Sequence, residues 1–173
     1  MNGNCHFIYG ASIGSMIALN LDKISNIFPH ITNTPETATL FVLGGLIGGI
    51  LPDIDSSNSH IGKLSTPLST VINAIQSKFD KVASNHRGIL HDPLVYIIGV
   101  ILSYLFMPPL LGIFIGCLSH LFLDMFNPSG IPFFIFFNVC LGKIKSGDSK
   151  SIIFTWICIA MCLLLGISYK CFA

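Results

Sequence analysis

His120 and Asp124 stand four positions apart in the apolar run Gly112 to Phe126, which reads Gly-Ile-Phe-Ile-Gly-Cys-Leu-Ser-His-Leu-Phe-Leu-Asp-Met-Phe. On a helix that spacing puts both side chains on one face, one turn apart. A charged carboxylate among apolar neighbours costs roughly 2.5–3.5 kcal/mol even on a lenient insertion scale, so it needs a partner. A divalent metal held by imidazole nitrogen and carboxylate oxygen would be one. A polar pair that only packs two helices together is the other reading. Asn127-Pro128-Ser129-Gly130 then ends the helix, since Pro removes a donor and Gly accepts turn geometry.

Three further places carry metal-capable residues: His6, the Asp53-Ile54-Asp55 stretch, and the pair His86 and His91. Singly, each has a plain structural reading as a helix cap, an interfacial histidine or a polar loop residue. Together with His120 and Asp124 they lie at or near the ends of apolar segments, where a helix bundle would bring them to one depth. Asp53 and Asp55 converge only if their backbone is not helical, and Leu51 before Pro52 is biased away from helix. His86 and His91 are five apart around Gly88, so they too need a non-helical turn. Arg87 cannot ligate metal but can hold an anionic oxygen through its planar fork. Such a His and Asp set suits zinc or another borderline to hard divalent ion. Seven candidate ligands exceed one tetrahedral ion, so two or more metals sharing a carboxylate are expected. Two such ions activate water and stabilise both oxygens of an in-line phosphoryl displacement.

The elements that must position these residues are apolar helices. The chain has 173 residues, 52% hydrophobic and only 10% charged, with mean hydropathy +0.76. An ordinary soluble domain is about 25% charged, so the composition indicates a membrane protein in a single domain, residues 1–173. A net charge of +1 gives no footprint for nucleic acid. The six cysteines show no C-x-x-C spacing and read as small hydrophobes. Met1 to Asn20 lacks a basic n-region and is expected to be retained rather than cleaved.

Along the chain, Phe7–Leu21 is apolar with small residues spaced for close packing, and Asp22–Glu36 is a polar connection that holds His30. Thr37–Leu51 is the second apolar segment. Its Gly44 and Gly48, and its Gly45 and Gly49, are each four apart, so another backbone can approach closely. Residues 56–92 are polar, with Leu64, Leu68, Val71, Ile72, Ile75, Phe79 and Val82 at the spacing of an amphipathic helix. His60 falls here, and like His30 it is left outside the site. Leu94–Met107 and Leu110–Phe126 are helices broken by Pro108-Pro109. Ile131–Leu141 is too short to span and is expected to be re-entrant or interfacial, and Ser151–Ser168 is the clearest spanning helix. The basic turn before it, with Lys143, Lys145 and Lys150, should be cytoplasmic by the positive-inside rule.

The blocks Leu51-Pro52-Asp53-Ile54-Asp55, His86-Arg87-Gly88-Ile89-Leu90-His91 and Ser119-His120-Leu121-Phe122-Leu123-Asp124 with Asn127-Pro128-Ser129-Gly130 resemble the signature of the YdjM family. His6, followed by Gly10, is similar to that family's N-terminal histidine and small residue. The match covers roughly residues 5 to 132. The chain departs from the pattern at Ser56, where the family often has His, and at Leu90-His91-Asp92, where it often has Thr-His-Ser. The resemblance implies a bacterial inner-membrane metal-dependent hydrolase, some members being LexA-regulated. It also implies a distant likeness to zinc-dependent phospholipase C and P1-type nuclease, and hence phosphoester hydrolysis by analogy.

The expectation is an all-α integral membrane bundle of four to six apolar helices in the bacterial inner membrane. His6, Asp53, Asp55, His86, His91, His120 and Asp124 would bind zinc or a similar divalent metal. Asp53, Asp55 and Arg87 would act on a phosphoester or phospholipid-like amphiphile attacked by metal-activated water. The alternative is a divalent-metal transporter or metal-binding membrane protein without turnover. A third reading makes the His and Asp residues structural glue between helices.

Overall fold

The structure, a computed structural model, describes residues 3–55, 70, 89–133, 137–145 and 147–172. Six α-helices occur among the described residues: α1 (Gly3–Leu19), α2 (Leu21–Ile27), α3 (Pro35–Gly48), α4 (Pro93–Phe106), α5 (Leu111–Asp124) and α6 (Ser149–Phe172). The expected amphipathic helix in residues 64–82 lies outside the described residues.

Two helices begin on the same local device. Thr34 accepts the Thr37 N–H at 3.2 Å ahead of Pro35, and Asp92 accepts the Leu94 N–H at 2.9 Å ahead of Pro93. Each cap satisfies an otherwise orphaned donor, and proline is preorganised for the first helical position. The α3 helix ends before Pro52, where Leu51–Asp55 forms a 3₁₀ turn. Pro108–Leu110 forms another between α4 and α5, as the paired prolines predict.

The α3 helix sits between α1 and α5, and glycine permits it. Gly45 and Gly49 meet α1: a Cβ on Gly45 would collide with the Gly10 carbonyl oxygen, and one on Gly49 with that of His6. Gly44 and Gly48 meet α5 at Gly112 and Ile113. The two glycine pairs thus turn toward two different neighbours, with Gly45 also close to Gly116 of α5, and the helices pack backbone to backbone.

These contacts also fix direction. The α1 helix runs from a first end of the bundle, at His6, to a second end, where Gly14 lies against Phe41. The α3 helix returns to the first end at Gly49. The α4 helix leaves that end, and α5 returns to it at Asp124. The α6 helix runs alongside α1: Ile159 packs with Tyr9 and Leu123, and the Gly166 carbonyl accepts from the Asn20 amide at 3.1 Å.

Two differences from the expected fold stand out. The polar connection after α1 contains α2, because Leu21 and Ile24 turn inward onto Ile31, Phe41 and Leu111. The segment expected to be re-entrant or interfacial forms a small antiparallel hairpin, β1 (Ile131–Phe133) with β2 (Phe137–Val139), in which Pro132 faces Asn138. The fold is thus mostly helical rather than purely so. Aromatic and β-branched side chains suit this hairpin, and Ile131 is buried on Tyr96, Cys117 and Leu121.

The outer surface is apolar. Ile97, Ile101 and Leu105 of α4 and Ile153, Ile157 and Leu164 of α6 are all exposed. Segments Pro35–Ile54 and Ser149–Cys171 are long and apolar enough to cross a membrane. A coat of this kind suits an apolar solvent such as a bilayer interior.

Candidate metal centre

The first end of the bundle gathers five of the seven expected ligands. His6 stands in the opening turns of α1, and His120 and Asp124 in the last turns of α5. Asp53 comes from the turn after α3, and His91 ends a 3₁₀ turn, Ile89–His91, just before α4. His120 is wholly buried, and His6, Asp124 and His91 nearly so. The Asp53 side chain is 26% exposed and forms the open rim.

The His6 and His120 rings stack at 3.8 Å between centroids, 19° from parallel. His91 meets His120 edge-on at 5.7 Å. His6 Nε2 lies 3.3 Å from Asp124 Oδ1, and His91 Nε2 lies 3.8 Å from Asp53 Oδ1. His120 Nε2 faces both carboxylates, 3.6 Å from Asp53 Oδ1 and 3.8 Å from Asp124 Oδ2. His6 Nε2 is within hydrogen-bond reach of Asp124, whereas the two separations from His120 Nε2 are too long for hydrogen bonds.

The tautomer of His120 follows from its other nitrogen. Nδ1 lies 2.8 Å from the Gly49 carbonyl oxygen, which can only accept, so Nδ1–H donates. In the neutral ring Nε2 then carries a lone pair, and it has no hydrogen-bond partner. A buried lone pair aimed between two carboxylates is repulsive unless a cation lies among them. An imidazole fixed by a backbone carbonyl through its far nitrogen is the usual arrangement behind a metal ligand. The donor set therefore fits a divalent ion. Two overlapping groups have ligand atoms within 4.8 Å of one another: His6, His120 and Asp124, and Asp53, His91 and His120. His120 is common to both, but its single free lone pair can serve only one ion.

The Asp55 side chain, His86 and Arg87 lie outside the described residues. His30 sits at the second end of the bundle, its ring 5.4 Å from Tyr104, apart from the site as expected. Two positioning residues were missed from the sequence. Asp92, noted there only as part of a departure from the family pattern, caps α4, and the Asp-Pro pair was the available signal. The Tyr96 hydroxyl donates to the Leu90 carbonyl at 2.7 Å and braces the turn that carries His91. Nothing in the spacing pointed to that bond.

Residues 1–171 match the family described as YdjM inner membrane protein. Over 95 residues the chain is 30% identical to the uncharacterized protein YvsG of Bacillus subtilis (strain 168), covering 53% of this chain and 54% of that protein. The chain thus spans about half the length of this relative. No solved structure matches.

Proposed function

The chain belongs to the YdjM inner membrane protein family, and on that premise we propose a membrane-embedded, metal-dependent hydrolase acting on a phosphoester or phospholipid-like substrate. Helices α1, α3, α4, α5 and α6 cross the bilayer, and the site lies at one membrane face. The observation that carries this reading is His120 Nε2, a buried, tautomer-fixed lone pair directed at two carboxylates.

His6, His91, His120, Asp53 and Asp124 would hold zinc or a similar divalent ion. That ion supplies Lewis acidity toward a phosphoester oxygen and lowers the pKa of a water. Because His120 can serve only one ion, a second ion would need further donors, for which the sequence offers Asp55 and His86. Buried His6 and Asp124 hold their donor atoms in place through the glycine-packed α1, α3 and α5. Asp53 is the site carboxylate most open to a bound substrate, and whichever of Asp53 and Asp55 does not hold the ion would accept the proton released by the attacking water. Arg87 steadies the substrate anion.

The test is hydrolysis of a phosphoester and phospholipid panel by detergent-purified protein, beside an Asp53→Ala, His120→Ala double variant. Turnover that depends on added divalent metal and is lost in the variant supports the reading. Full activity in the variant overturns the mechanism. Metal uptake into sealed vesicles without turnover would favour the transporter instead.

A further inference from the structure

We infer that the metal centre faces the cytoplasm, so that its substrate is reached from the cytosol or the cytoplasmic leaflet. This rests on the bilayer-crossing reading above and adds the direction of crossing. The basic turn before α6 and the metal centre lie at the same end of the bundle. Leu141 N–H donates to the Met125 carbonyl at 2.7 Å, and Ile144 N–H to that of Phe126 at 3.0 Å. Met125 and Phe126 directly follow Asp124, while Lys143 and Lys145 flank Ile144. The Phe126 ring lies 4.6 Å from that of Phe154 in the first turns of α6, just after Lys150.

The remaining basic residues agree. Asp55 and Ile89 both lie at this end, and the sequence between them holds Lys63, Lys78, Lys81 and Arg87. Among the described residues, the opposite end has Lys23 and Lys170. Lys23 is occupied there with the carbonyls of Tyr169 and Lys170 and lies 4.6 Å from the centroid of the Tyr169 ring. The positive-inside rule counts Lys and Arg near the ends of spans and is not a rule of net charge, so the site carboxylates do not offset this bias. The excess of Lys and Arg marks the metal-centre end as cytoplasmic.

Two native thiols report on it. Cys140 is exposed beside the Asn127 carbonyl at the metal-centre end, and Cys171 is exposed at the other end. Variants keeping only one of these cysteines are treated with a membrane-impermeant maleimide, in spheroplasts and in inverted membrane vesicles. The expected result is that Cys171 labels in spheroplasts and Cys140 only in inverted vesicles. The reverse pattern, or equal labelling of both on both sides, overturns the inference. Labelling of both thiols from one side instead shows that the bundle does not cross, which sinks the membrane-crossing reading and this inference with it. An alkaline phosphatase fusion after Ala173 of the otherwise unaltered chain decides independently if a cysteine variant fails to accumulate. An active fusion supports the inference and an inactive one overturns it.

Discussion

The two ends of the bundle use similar residue types to different effect. At the metal-centre end, three imidazoles and two carboxylates converge where α1, α3 and α5 touch backbone to backbone through glycine. At the far end, His30 rests edge-on against Tyr104, and Thr32 and Thr37 satisfy each other at 2.9 Å. An apolar cleft of about 390 Å³, lined by residues such as Ile17, Phe41, Tyr104 and Ile115, opens there. A histidine near a helix end is thus not a ligand by itself. Glycine brings α1, α3 and α5 together at both ends; the difference lies in whether the neighbouring chain ends carry further donors, as they do around His120.

The largest expected effect comes from disturbing the glycine seam. In Gly48→Leu the new side chain would collide with the Ile113 carbonyl, a backbone atom that cannot swing aside. A loss above ~3 kcal/mol is expected, seen as absent or aggregated protein in size-exclusion chromatography. A well-folded, metal-loaded Gly48→Leu protein would show that the close approach of α3 and α5 does not hold the site's donors in place.

Next in size is the site itself. His120→Ala should lower bound divalent metal by about tenfold or more, read by elemental mass spectrometry of purified protein. Wild type that stays metal-free after metal is added back would reduce the cluster to helix glue.

Asp92→Ala removes a cap from the helix that follows His91 and should cost ~1 kcal/mol in a thermal melt. Asp92→Asn, which can still cap, should retain most of that stability. Equal losses in the two would mean that Asp92 does more than cap α4.

The smallest effect belongs to the far end. His30→Ala should change stability by no more than ~0.5 kcal/mol and leave metal content unchanged. A drop in bound metal there would break the contrast between the ends.

Much of this was legible from residue types. The two glycine pairs of α3, the break at Pro52 and the Pro108-Pro109 turn all follow from local sterics that any chain must obey. Convergence of His6, Asp53, His91, His120 and Asp124 followed from their shared place at helix ends. The β1–β2 hairpin was not legible, because a short aromatic run has no period long enough to separate strand from helix. The α2 helix was hidden because its inward residues, Leu21 and Ile24, are buried by partners distant in sequence. The Gly49 carbonyl that orients His120 left no trace either, since every residue carries one.

The placement of His6 bears on how the protein is handled. His6 lies within the first turns of α1, beside the metal centre, whereas α6 finishes across the bundle near Lys23. A polyhistidine affinity tag joined ahead of Met1 would put extra imidazoles within a few residues of the native donors and feed nickel from the resin toward them. A tag after Ala173 keeps that chemistry on the other side, so metal analyses are best made on protein purified by its C-terminal end.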